Sequence, residues 1–304
     1  KIEGARANNL NNIDVEFPLN MLTVVTGVSG SGKSTLVKNI LYPALNKELI
    51  GYGEKPGEFS AISGNFSTVK FIEFVDQNPI GRSSRSNPVT YIKAYDEIRM
   101  LYSKQKLSML RNYQPKHFSF NVDGGRCPNC KGEGVVTIEM QFMADVQLKC
   151  DSCGGKRFKK ELLEVKFKNK TIDDVLNMTI DDALVFFETH NCSKIKKKLQ
   201  PLQDVGLGYV TLGQSSSTLS GGEAQRIKLA SFLGKGSSSD SGLFIFDEPT
   251  TGLHFHDIKK LLKSFNALIN QRHSIIVIEH NMELIKSADY IIDLGPEGGK
   301  NGGN

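Results

Sequence analysis

The hydrophobic and polar positions of this chain fall into blocks with different periods. Leu22 to Thr26 (LTVVT) is a short apolar run rich in β-branched residues, followed by a Gly/Ser-rich turn and a helical pattern over about Lys33 to Lys47. That order predicts strand, loop, helix. Leu243 to Phe246 and Ser274 to Ile278 are further strand candidates, and between them His256 to Gln271 sets Ile258, Leu261, Leu262 and Phe265 on one helical face. Apolar strands alternating with helices predict a parallel sheet covered on both sides. Between Pro88 and Pro201 the character changes to a lysine-dotted helical stretch, a Gly- and Cys-rich segment and two short helix candidates, so this region reads as an insertion that splits the core in sequence. Gly51 to Gly64 and Gly234 to Gly242 read as loops, and no internal repeat is visible.

Composition changes this picture little. At 304 residues the chain exceeds the roughly 100 to 200 of a usual domain, which agrees with a core carrying a large insertion. No apolar run approaches the roughly 18 residues that cross a bilayer, so the chain is expected to be soluble. The net charge of +5 permits an acidic partner without demanding one. Five cysteines, four of them in CxxC pairs, fit a reducing compartment, and the expected location is the cytoplasm. The chain opens at Lys1 inside what reads as a domain and stops in the Gly-rich stretch Gly298 to Asn304, so both ends read as cuts.

The strongest chemical signal is GVSGSGKS, Gly27 to Ser34, which matches GxxxxGK[ST] between an apolar strand and a helix. The spacing lets backbone N–H groups around Gly27, Ser29, Gly30, Gly32 and Thr35 wrap phosphates at a helix N-terminus, while Lys33 neutralises the β and γ phosphates and the Ser34 hydroxyl holds Mg²⁺. LFIFDE, Leu243 to Glu248, supplies the complement: Asp247 for the Mg²⁺ shell and Glu248 to polarise an attacking water. ATP is the expected ligand.

LSGGEAQ, Leu219 to Gln225, resembles the signature of the ATP-binding cassette superfamily. By the same resemblance Gln77 is the Q-loop glutamine, Pro249 to Leu253 begins the D-loop and His280 is the switch histidine. The resemblance implies an α/β P-loop NTPase fold, a mostly parallel sheet with flanking helices, interrupted by a helical signature subdomain, to which the cysteines described next add a small zinc module. The expected division is core over 1–87, insertion over 88–204 with the zinc module at about 118–160, and core again over 205–304. It also implies that each ATP lies between the phosphate loop of one cassette and Ser220, Gly221 and Gly222 of a second, so this chain alone completes no site. Transport cassettes usually stack adenine on an aromatic residue shortly before the phosphate loop, and Lys1 to Asn12 contains none, which leaves the Arg6 to Leu10 region to hold the base.

The insertion carries Cys127, Cys130, Cys150 and Cys153, spaced CxxC, nineteen residues, CxxC, each pair followed by glycine. Four thiolates at this spacing predict tetrahedral Zn²⁺, with disulfides or idle thiols as the alternatives. Four protein ligands leave no open position, so the zinc reads as structural. Cys192 has no partner at suitable spacing and reads as a packed thiol, and Lys194 to Lys198 as the solvent face of a helix. Lys149 and Arg157, in a modestly basic stretch with interleaved phenylalanines, are candidate contacts to a nucleic-acid backbone.

Several longer segments narrow the family: PIGRSSRSNPVTY (Pro79 to Tyr91), FSFNVDGGRCPNC (Phe118 to Cys130), IEMQF (Ile138 to Phe142), TLSGGEAQRIKLA (Thr218 to Ala230), DEPTTGLH (Asp247 to His254), VIEHN (Val277 to Asn281) and DLGPEGG (Asp293 to Gly299). Together they resemble the second, carboxy-terminal cassette of the UvrA family. Ser83 and Ser84 replace a common Thr-Pro, and Met143 and Ala144 a common Leu-Pro, so the loop after Phe142 is expected to differ in shape. The resemblance implies an ATPase of nucleotide excision repair whose insertion contacts double-stranded, damaged DNA and which cuts nothing itself. It further implies an amino-terminal cassette and a UvrB-binding region, neither of them in this sequence. A transporter subunit and a UvrA-like paralogue in resistance to DNA-binding drugs are the rival readings.

Overall fold

A computed structural model of the chain describes residues 1–81, 83, 85–138, 140, 146–234 and 240–304. Strands β1 (Ile2–Ala5), β2 (Ile13–Val15) and β3 (Leu22–Gly27) come first, followed by helix α1 (Tyr42–Ile50) and strands β4 (Ala61–Ile62) and β5 (Phe71–Val75). The middle of the chain holds α2 (Pro88–Tyr91), α3 (Ala94–Ser103), α4 (Lys106–Leu110), the hairpin β6 (Val135–Ile138) and β7 (Val146–Lys149), then α5 (Ile172–Leu176), α6 (Ile180–Thr189), α7 (Ser193–Asp204) and α8 (Gly221–Leu233). Strand β8 (Gly242–Asp247), α9 (Phe255–Asn270), β9 (Ser274–Ile278), α10 (Met282–Lys286) and β10 (Tyr290–Leu294) close the sequence.

Two compact units result, residues 1–77 with 235–304 and residues 78–234. The boundaries differ from those expected at 87/88 and 204/205, and the signature segment belongs to the second unit. The reason is packing: α8 lies against α7 and α2, all of them within that unit.

In the first unit five strands pair in parallel in the order β10-β3-β9-β8-β5, as the apolar runs predict. Leu22 to Val25 are all buried, because helices or the second sheet cover both faces. On α9, Ile258, Leu261, Phe265 and Leu268 are buried at three- and four-residue spacing, and the Phe265 ring lies 4.9 Å from that of Phe246 on β8. A small antiparallel sheet in the order β2-β1-β4 shares the core: Ile2 and Val15 cluster with Val25, Ile245 and Ile276.

The second unit is mainly helical around an aromatic core. Tyr102, Phe118, Phe120, Phe158 and Phe187 are fully buried, and the two buried tyrosines satisfy their hydroxyls on main-chain oxygens, Tyr95 on Phe118 at 2.6 Å and Tyr102 on Lys170 at 2.8 Å. Three helices stand where two were expected, because the capping residues Thr171 and Thr179 each start one and α7 follows. Lys194 and Lys197 of α7 are exposed while Ile195 and Leu199 face the core, the amphipathic pattern read from the sequence. No helix among the described residues is long and apolar enough to cross a membrane. The loop readings at residues 235–239 and after Phe142 lie outside the described residues.

Candidate nucleotide site, signature helix and metal centre

The phosphate loop leaves β3 and enters a π-helical turn over Thr35–Leu41 that continues into α1. Gly27 turns the chain at φ +132°, and a Cβ there would sit 2.0 Å from the Leu294 carbonyl oxygen, so only glycine fits. The Lys33 ammonium is buried against the loop, donating to the carbonyls of Gly27 and Val28 at 2.9 and 2.8 Å. Burial lowers its pKa, and the carboxylates of Glu248 and Asp293 oppose that shift.

Asp247 and Glu248 end β8 beside this loop. Burial, then the adjacent Glu248 carboxylate, raises Asp247 above its ordinary pKa, an environment that a divalent cation would relieve. Glu248 adopts a left-handed backbone, φ +48°, and its Oε1 lies 3.5 Å from His280 Nε2. The Gln77 amide donates to the carbonyls of Asp247 at 3.3 Å and Glu248 at 3.4 Å. Thus Lys33, Gln77, Asp247, Glu248 and His280, scattered over the sequence, converge at the ends of neighbouring strands of one unit. Ser220, Gly221 and Gly222 begin α8 in the other unit.

Two features of the loop's surroundings were not legible beforehand. The Asn9 side chain donates to the carbonyls of Gly30 and Gly299 at 2.8 and 3.1 Å, while Gly299 donates its amide to Gly30 at 3.0 Å. The terminal glycine stretch is a strap packed on the phosphate loop. Its Gly298 is tight enough that a Cβ would meet the Ser29 carbonyl oxygen at 2.3 Å. Of the segment expected to hold the base, Arg6 is engaged with Glu58 and Ser60, and Asn8 donates to the Thr35 hydroxyl at 3.2 Å.

At the signature, Ser220 caps α8. Its Oγ accepts the Glu223 amide at 3.2 Å, and Glu223 Oε2 accepts the Ser220 amide at 2.8 Å. The Ser220 hydroxyl keeps its own proton to donate. Tyr209, which no motif marks, adds a bond of 2.6 Å to Glu223 Oε1.

The four cysteines converge as their spacing predicts. All four Sγ atoms lie within 4.8 Å of one another and are buried, with Cys127 to Cys150 at 4.0 Å and Cys130 to Cys153 at 3.7 Å. Those separations exclude disulfides, which need about 2.05 Å. They match the roughly 3.8 Å between thiolates placed tetrahedrally at about 2.3 Å from Zn²⁺. Burial pushes the Cys130 and Cys153 thiols up, while at Cys150 hydrogen bonds from the main chain and its neighbouring thiols outweigh burial and draw the thiol down. Gly134 donates its amide to Cys130 Sγ at 3.3 Å and Asn129 its side-chain amide to Cys150 Sγ at 3.6 Å, orienting contacts of the kind that surround metal ligands. The fifth cysteine, Cys192, is half-buried, and burial pushes its thiol up.

Of the candidate backbone contacts, Lys149 is exposed on β7. Arg157 is corrected: its guanidinium donates to the Gly213 carbonyl at 2.8 Å and lies 5.6 Å from the Phe120 ring centre. The flanking Phe158 anchors that stretch in the aromatic core.

No family model matches the chain. It is 56% identical over 303 residues to the UvrABC system protein A of Clostridium acetobutylicum, covering the whole chain and 32% of that protein. The UvrABC system protein A of Staphylococcus epidermidis is 55% identical over 303 residues, with the same coverage. Among solved structures, UvrA2 from Deinococcus radiodurans superposes with a TM-score of 0.90 at 43% identity, covering 100% of this chain and 36% of that one. The chain therefore spans about a third of the length of the curated relatives it matches. The fold is the one read from the sequence, an ATP-binding cassette with a helical signature unit and a four-cysteine module.

Proposed function

We propose, for a chain that belongs to the UvrA family and spans about a third of its relatives' length, the function of one ATP-hydrolysing cassette of the DNA-damage-recognition subunit in nucleotide excision repair. The observation that carries this reading is the whole-length identity of 56% to a UvrABC system protein A, in a chain whose phosphate loop, Asp247–Glu248 pair and His280 meet in one place.

In this reading the loop amides from Gly27 to Thr35 and the Lys33 ammonium hold the phosphates of ATP, and Ser34 and Asp247 hold Mg²⁺. The metal supplies charge neutralisation on the transferred phosphoryl group. Glu248 orients and polarises the attacking water, His280 lies beside that carboxylate, and Gln77 reports on the same strand ends. Ser220, Gly221 and Gly222 serve the nucleotide of a second cassette, in the amino-terminal half or another copy. Zn²⁺ on Cys127, Cys130, Cys150 and Cys153 braces the module that grips double-stranded DNA, and UvrB binds through parts of the protein outside this chain. The four-cysteine cluster and the lack of an aromatic residue in Lys1 to Asn12 oppose the rival transporter reading.

The test is made on the full-length protein carrying this chain. The reading requires Mg²⁺-dependent ATP hydrolysis, abolished by Lys33→Ala, and tighter binding to a duplex with a bulky adduct than to its undamaged counterpart. Equal affinity for both duplexes would overturn it.

A further inference from the structure

Glu279 precedes the switch histidine and is buried, only 3% exposed, yet none of the motifs assigns it a role. Its two carboxylate oxygens are fully used. Oε1 accepts the Thr250 amide at 2.9 Å and also the Thr250 hydroxyl, while Oε2 accepts the His280 amide at 2.6 Å and the Asn281 amide at 3.0 Å. Four donors on two oxygens saturate an ionised carboxylate. It therefore has no lone pair left to activate water.

The groups it joins matter. Thr250 lies two residues beyond Glu248 in the D-loop, and Thr251 donates its amide to the Glu248 carbonyl at 3.2 Å. Glu248 itself donates its amide to the Ile278 carbonyl at 2.9 Å, next to Glu279. The Glu279 amide reaches the Val25 carbonyl at 3.1 Å, on the strand that leads into the phosphate loop. Asn281 caps α10, its side-chain oxygen accepting the Glu283 amide at 2.9 Å. Glu248 holds a left-handed backbone, a conformation that costs about 1 kcal/mol or more in a non-glycine residue and persists where neighbours over-determine it.

We infer that Glu279 is a positioning residue: its buried carboxylate locks the D-loop at Thr250 and the switch turn at His280 into one piece, and thereby sets the 3.5 Å approach of His280 to Glu248. This rests on the hydrolytic reading given above. The four bonds of the carboxylate end on Thr250, His280 and Asn281 and none on the phosphate loop, so it governs turnover and leaves ground-state binding of ATP alone.

Glu279→Gln tests this in the full-length protein. The amide offers donors where the carboxylate accepts, so one pair of bonds is lost. The result expected is a fall in kcat of about tenfold or more with KM for ATP within about twofold, the signature of an interaction that acts on the transition state. Thr250→Val, which removes only the hydroxyl donor, should show the same split with a smaller drop, and it decides the matter if Glu279→Gln fails to fold. Unchanged kcat in a folded variant, or a loss of kcat matched by an equal loss of ATP affinity, would overturn the inference. A parent protein that hydrolyses no ATP would instead overturn the functional reading on which it rests.

Discussion

Tyr209 holds Glu223 by a 2.6 Å hydrogen bond, and Glu223 in turn closes the capping box on Ser220 at the start of the signature helix. The geometry of Ser220 at the start of this helix thus depends on a phenol eleven residues before it. Tyr209→Phe is expected to cost about 0.5–1 kcal/mol in urea denaturation, a hydrogen bond to a partly exposed carboxylate. Turnover in the assembled protein should fall, and ATP affinity at Lys33 should not.

The same pair sets a pH dependence. Burial, then the bond to Glu223, pushes Tyr209 up to about 12, so its contribution to stability is complete below its ordinary value near 10 and is lost as pH rises from about 10 to 12. Burial acts to raise Glu223, but Tyr209 and Ser220 outweigh it and lower its pKa. Its contribution is present above its ordinary 4.5 and is lost as pH falls below that. Denaturation of the parent and Tyr209→Phe should converge in stability at the alkaline end.

Metal analysis of purified protein should find about one zinc per chain on the four-cysteine cluster. Cys150→Ser should release it and unravel the hairpin module, since binding of a structural zinc, about 10–16 kcal/mol in small domains, is folding energy for its own surroundings. ATP binding by the first unit, measured by calorimetry, should survive.

Neutralising the two basic candidates separates their roles. Lys149→Ala is expected to weaken DNA binding without regard to sequence and to lower the salt slope by about 0.9. Arg157→Ala should leave that slope unchanged and instead destabilise the second unit by about 1–3 kcal/mol, through the lost bond to Gly213 and the lost stacking on Phe120. A slope that changes with Arg157 and not with Lys149 would reverse the assignment.

Glu248→Gln should keep Lys33, Ser34 and Asp247 intact, so ATP remains bound while hydrolysis drops by about 10²- to 10⁴-fold. With Mg·ATP the paired cassettes should then accumulate in the closed form, visible by sizing chromatography.

What the sequence made legible follows from how far each interaction reaches along the chain. Leu22 to Val25 and Ser274 to Ile278 were readable because strands buried on both faces leave continuous apolar runs, and the cysteines because metal ligands come in tight local pairs. Strands β1, β2 and β4 were not, being two to four residues long and paired across up to sixty positions, as Ile2 is with Ile62. Arg157 misled because a guanidinium beside a zinc knuckle looks the same in sequence whether it faces phosphate or a phenyl ring. Glu279 and Tyr209 act through main-chain amides and a helix cap, which need no residue pattern at either partner.

The glycine strap carries a last consequence, for how nucleotide occupancy could be sensed. Asn9 grips both Gly30 and Gly299, while the Asn11 amide bonds to the Gly303 carbonyl at 2.9 Å, so residues from opposite ends of the sequence are sewn together over the loop. Any shift of Ser29 and Gly30 around a γ-phosphate must pull on that seam. Residues near 9 and 303, almost three hundred positions apart, are therefore where a pair of probes is expected to distinguish ATP from ADP without touching the catalytic groups.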